Sequence, residues 1–402
     1  MSNYKSNLRV NYVVFVSVVF FLLAQPFRFF RLYFGVEVSG YVVVLVVYLV
    51  LFLIFVIIYG FENFYSVISK LLLLFVLFCF VLLNGSDLKY LFILIGAVAL
   101  YIAQTTFLER AHASEKVFLA IFRSLGIYSL IVFFLVLATI AVSSGFGNVI
   151  QALIDPVTYL HRQDSNLYLL YNHIRFESVF LDKGPREYVY DGVQLALYPY
   201  FYCLLYVVAP KQSRDIWTFI FMLLAVFVVL CFNSRTMILS LIYLYIYANF
   251  IEKYKILLFL NKLILLIIVF FPVGVYFLLS DELLRGRGKV YDLVVVNGIN
   301  AFGHGAGKAN QHLADLTGFL GSFHNIHLEL VYNFGYVVYA VGLIFVIKKI
   351  SCGVNKYYVA FIVFVFFYMS TNGNLVDYYF VYISVLLLHM STYFERFELR
   401  NQ

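Results

Sequence analysis

Apolar residues fill this chain in long blocks separated by short polar segments. The blocks lie at about 10–30, 38–60, 67–83, 88–108, 117–141, 191–209, 215–232, 236–250, 256–279, 324–347, 357–370 and 374–391. Most are near the twenty residues that a helix needs to cross about 30 Å of hydrocarbon. Those at 236–250 and 357–370 are shorter and would borrow flanking residues or cross where the bilayer thins. The pattern predicts an all-α, polytopic integral membrane protein of about twelve transmembrane helices, a single transmembrane domain over 1–402.

Two long polar segments interrupt the blocks, at 143–190 and 280–323. Each is too polar to lie in lipid and too short to be a separate domain. Short helices or a lid at the membrane surface are expected there. Lysine and arginine set the orientation. With the N-terminus cytoplasmic, fourteen fall on inner segments (Lys5, Arg9, Lys70, Arg110, Lys116, Lys211, Arg214, Lys253, Lys255, Lys348, Lys349, Lys356, Arg396 and Arg400). The short outer segments hold only Arg28, Arg31, Lys89 and Arg235. Both termini are therefore expected in the cytoplasm and both long segments outside as extracytoplasmic loops.

Composition agrees with this picture. Of 402 residues, 64% are hydrophobic and 12% charged, with a mean hydropathy of +0.93. An ordinary soluble domain is about half apolar and a quarter charged. The net charge of +7 does not point to nucleic acid, because most basic residues sit singly between apolar runs. No small-residue cleavage site follows the first apolar run, so no cleavable signal peptide is expected. Three of the four cysteines, Cys79, Cys203 and Cys231, lie in apolar runs, and Cys352 lies in a short basic loop. Neither a disulfide framework nor a thiolate metal site is expected from them.

Candidate chemistry gathers in a few places. Arg235, in Asn233-Ser234-Arg235, is costly at membrane depth unless it is solvated or paired, and could line an outward-facing cavity. Arg285, Arg287 and Lys289 put three cations within five residues and could hold a phosphate. Gly303-His304-Gly305-Ala306-Gly307 permits a tight turn with exposed N–H groups, a candidate anion nest, but not a nucleotide P-loop. His324 could take a proton from a hydroxyl near neutral pH, and Glu329, about a turn further on, could orient a partner. His324, His327 and Glu329 lack the His-Glu-x-x-His spacing, so no metal is assigned to them. Arg175 and Arg186, ahead of the 191–209 run, could complete an anion site.

Together these pieces resemble the O-antigen polymerase and O-antigen ligase superfamily of bacterial envelope glycan enzymes. The resemblance rests on Asn233 to Arg235, on Gly286-Arg287 with Ala301-Phe302-Gly303-His304-Gly305, on His324-Asn325 followed by Leu328-Glu329 and Gly335, and on Arg175-Phe176 with Phe180. It implies a membrane glycosyltransferase of the bacterial inner membrane, active at the outer face without cofactor or metal. The donor it implies is an undecaprenyl-diphosphate-linked glycan, and the favoured activity is polymerisation of repeat units. Transfer to lipid A–core by a ligase and transport of a lipid-linked glycan are the alternatives. In that scheme Arg287, Arg235 and His324 are catalytic, while Arg175, Arg285, Lys289, Arg186, His327 and Glu329 bind substrate. Membrane lipids, a chain-length regulator and a flippase are the implied partners.

Overall fold

The structure is a computed structural model. It describes residues 11–16, 40–59, 72, 88–111, 114–144, 146–154, 192–231, 235–251, 254–278, 293–294, 296–305, 307–317, 325–352, 354–369 and 378–401. Among these residues there is helix and turn but no strand. The main helices are α1 (Gly40–Tyr59), α2 (Leu88–Ala111), α3 (Ser114–Ser144), α4 (Phe146–Ile154), α5 (Gly192–Val208), α6 (Ile216–Cys231), α7 (Arg235–Asn249), α8 (Lys255–Leu278), α9 (Lys308–Thr317), α10 (Ile326–Cys352), α11 (Lys356–Ile362) and α12 (Tyr378–Asn401). A π-helical segment, Val363–Tyr368, continues α11.

The helices coincide closely with the apolar blocks, but the expectation of about twelve transmembrane helices is overturned. Among the described residues, two helices are long and apolar enough to cross a membrane, Val117–Phe134 and Ile326–Cys352. The remaining apolar helical stretches are shorter, such as Leu197–Val208, Ile216–Leu230 and Thr236–Asn249. The physical reason is that an apolar block is not one uninterrupted helix. Pro210 and a 3₁₀ turn at Lys211–Ser213 follow α5, which has only 17 residues, about 25 Å of rise. The block at 357–370 holds seven α-helical residues before its backbone becomes π-helical. Even Ile326–Cys352 is two helices, because Gly335 inside it has φ 86° and ψ 162°.

The chain forms two compact units, one of Met1–Leu51 with Leu108–Tyr245 and one of Phe52–Phe107 with Ile246–Gln402. In the first, α3, α5 and α6 pack against one another. Val117, Phe118, Ile121, Phe122 and Leu125 form one buried stripe of α3, at the spacing of a helix face. Phe122 stacks on Tyr202 of α5, ring centroids 4.8 Å apart, and the Tyr202 hydroxyl donates to Thr218 O of α6 at 2.8 Å. Gly126 makes this closeness possible: a Cβ there would stand 2.8 Å from Phe221 and 2.9 Å from Tyr202. Arg214 closes α5 by donating to the carbonyls of Val207 and Ala209 at 2.8 and 2.9 Å. Asp215 caps α6 by accepting from Thr218 N at 2.8 Å.

In the second unit α8 packs against α10, α11 and the π segment, and α11 packs on α12. Asn355 caps α11 through Tyr358 N at 3.0 Å, and its amide donates to Ser391 O of α12 at 2.9 Å. A small cluster of Leu293, Val294, Ala309, Leu313 and Tyr332, with Leu328 against it, fastens α9 to the first half of α10. That cluster is the floor of the site described next.

Candidate functional site

The first half of α10 starts at Ile326, and Asn325 caps it. Its Oδ1 accepts from His327 N and Leu328 N, each at 3.1 Å. Nine residues later the helix breaks, and the turn from Asn300 to Gly305 enters the gap. His304 N donates to Tyr332 O at 2.9 Å, and Gly305 N to Asn333 O at 3.0 Å. In return Tyr336 N donates to Asn300 O at 3.3 Å and Val337 N to Ala301 O at 3.2 Å. Every backbone group opened by the break at these positions thus finds a partner. Two glycines allow it. A Cβ on Gly303 (φ 75°) would collide with the carbonyl of Asn333, and one on Gly335 (φ 86°) with the carbonyl of Ala301.

The crossing places three ring side chains together. His304 lies over Tyr332 with centroids 4.4 Å apart, and His312 of α9 meets both rings, at 6.0 and 5.9 Å. Hydrogen-bond partners settle the tautomers. His304 Nε2 is 3.0 Å from Gly298 O; a carbonyl only accepts, so Nε2 carries the proton and Nδ1 of the neutral ring is a bare acceptor. The nearest polar group to that acceptor is the Asn300 amide, at 3.5 Å, a long contact that a closer donor would displace. Asn297 Nδ2 donates to the Tyr332 hydroxyl at 3.0 Å, which in turn lies 2.6 Å from His312 Nδ1. Tyr332 therefore donates to a neutral His312. Burial pushes the His312 pKa below the ordinary imidazole value, helped by His304 and Lys308 and opposed by Asp315.

The sequence-derived site is mostly elsewhere. His324, Arg287, Arg285, Lys289, Arg175 and Arg186 lie outside the described residues, as does the side chain of Arg235 at the start of α7. Glu329 is fully buried in the first turns of α10. His327 is 3% exposed; its Nε2 donates to Val365 O at 2.8 Å, and the Tyr339 hydroxyl lies 3.0 Å from its Nδ1. It stacks on Phe366 at 4.7 Å, so it is an internal strut. The glycine stretch is also different from the anion nest that its composition suggests, because the N–H groups of Gly303, His304 and Gly305 are all spent on backbone carbonyls. Among the described residues no group of three or more metal-ligating side chains assembles.

No protein-family profile, curated protein or solved structure matches this chain. With only two helices suited to crossing a membrane among the described residues, the polymerase of undecaprenyl-linked repeat units is withdrawn. The ligase and transporter alternatives and a multi-pass inner-membrane location fall with it, since all require the many-span bundle. Sequence reasoning named neither His304 nor His312 as a site residue. His304 was visible only as the odd residue in a glycine run, and His312 carries no local motif.

Proposed function

We propose that this chain is an enzyme that uses His304 as a general base. The observation that carries the reading is the bond from Nε2 to the Gly298 carbonyl. It fixes the ring and its tautomer, which leaves Nδ1 half-exposed as a proton acceptor. A base held by a third group, beside a displaceable amide, is the arrangement that removes a proton from a hydroxyl or a water as it attacks an electrophile. The proton goes to Nδ1, and the ring becomes an imidazolium stabilised at Nε2–H by Gly298. The Asn300 amide sits where it would meet the same oxygen. Tyr332 supports the ring from below and is itself held by Asn297 and His312.

The test has two parts. Nitrogen-15 NMR of the full chain should show a His304 ring protonated at Nε2 and bare at Nδ1 when neutral. The opposite tautomer would refute the assignment. Turnover should then be followed on a panel of p-nitrophenyl esters and phosphodiesters. His304→Gln is expected to lower any rate found by about 10²–10⁴-fold, and equal rates in the variant would exclude His304 as the base.

A further inference from the structure

The break in α10 has a backbone pattern that goes beyond the base at His304. In an uninterrupted α-helix each N–H donates to the carbonyl four residues earlier. Within α10 that rule would join Tyr336 N to Tyr332 O and Val337 N to Asn333 O. Those two carbonyls instead accept from His304 and Gly305, and those two N–H groups donate to Asn300 and Ala301. The loop's own groups are spaced in the same way, since His304 follows Asn300 by four residues and Gly305 follows Ala301 by four. Two helical turns have each opened two bonds and closed them on the other. Either turn alone could close its own pair. Four backbone bonds are present in both arrangements, so exchange between them leaves no donor or acceptor stranded.

We infer that α10 and the Asn300–Gly305 turn form a two-state element, in which the turn either inserts into the helix or withdraws and lets Ile326–Cys352 run as one continuous helix. The structure holds the inserted state. Side chains favour it: Asn333 Oδ1 accepts from Ala309 N at 3.0 Å, Tyr332 is held by Asn297 and His312, and Tyr339 reaches His327. The last contact shows how far the chain folds back. In a continuous helix His327 and Tyr339 would be about 18 Å apart along the axis, yet their polar atoms are 3.0 Å apart. Withdrawal is favoured by two other features. Gly335 leaves the left-handed region, and the backbone crossing that excludes any Cβ at positions 303 and 335 is released. A ligand that prefers either state shifts the balance, and withdrawal takes His304 off Tyr332.

Alanine at either glycine blocks insertion, from the helix side at Gly335 or from the loop side at Gly303. Nitroxide labels placed on non-natural residues at Leu330 and Ile344 of the full chain read the outcome by pulsed electron resonance. A continuous helix puts those Cα atoms about 21 Å apart, and the folded-back arrangement puts them markedly closer. The wild-type chain is expected mainly at the short separation. Gly335→Ala and Gly303→Ala, with their helical circular dichroism retained, are expected mainly at the long one. The long separation in either folded variant supports the two-state element. If no folded variant shows it, because the separation stays short or the helical signal collapses in both, the crossing is a fixed part of the fold and the inference is wrong.

Discussion

At the residue scale, His312 illustrates how partners decide what an imidazole does. It is neutral because the Tyr332 hydroxyl needs an acceptor at Nδ1 and because burial and neighbouring cations oppose a second proton. A histidine with a depressed folded-state pKa contributes stability that is complete above the unfolded value of about 6.5 and is lost as pH falls below it. The melting temperature should therefore decline between about pH 6.5 and pH 5, and His312→Asn should flatten that decline. Thermal melts across this range check it, and an unchanged slope in the variant would move the titration elsewhere. His327 makes the contrast, since its buried ring bridges Tyr339 and the Val365 carbonyl.

At the scale of elements, the sequence was informative where one physical cause acts locally. Apolar blocks at 88–108 and 215–232 became α2 and α6 almost residue for residue. What the blocks do not encode is whether a helix continues through them. The break at Gly335 depends on a loop thirty residues away, and the π turn depends on packing around Phe364 and Phe366, both buried. The site was unreadable for the same reason: His304, His312 and Tyr332 are separated by eight and twenty positions and meet only through the crossing. Asn333 is the element-level hinge of this assembly, capping α9 from the broken end of another helix. Asn333→Ala should cost about 1 kcal/mol in chemical denaturation and loosen α9. Faster amide exchange confined to Ala309 and the turn after it is the expected signature.

At the scale of the whole molecule, the chain threads between two units, since each is assembled from separate stretches of sequence. Unit-specific substitutions should act on one unit alone, because distant sites add independently. Gly126→Ala forces a methyl to within 2.8 Å of Phe221 and 2.9 Å of Tyr202, so it should destabilise the first unit by about 1–3 kcal/mol. The His304 and His312 ring resonances in the second unit should stay where they are. Movement of those resonances would show that the units are energetically coupled. Reading the letters as a dozen crossings failed at this scale because hydropathy is summed along the chain, whereas helix length is set by turns, caps and breaks.

The π turn at Val363–Tyr368 has one more consequence. Widening a helix by a single residue rotates everything after it by about 100°, so the stretch beyond Tyr368 is out of phase with α11. A homologous chain one residue shorter there would return to phase, draw the Val365 carbonyl back into its own helix, and strip the imidazole of His327 of its acceptor. An aligned relative with that gap is then expected to carry something other than histidine at position 327.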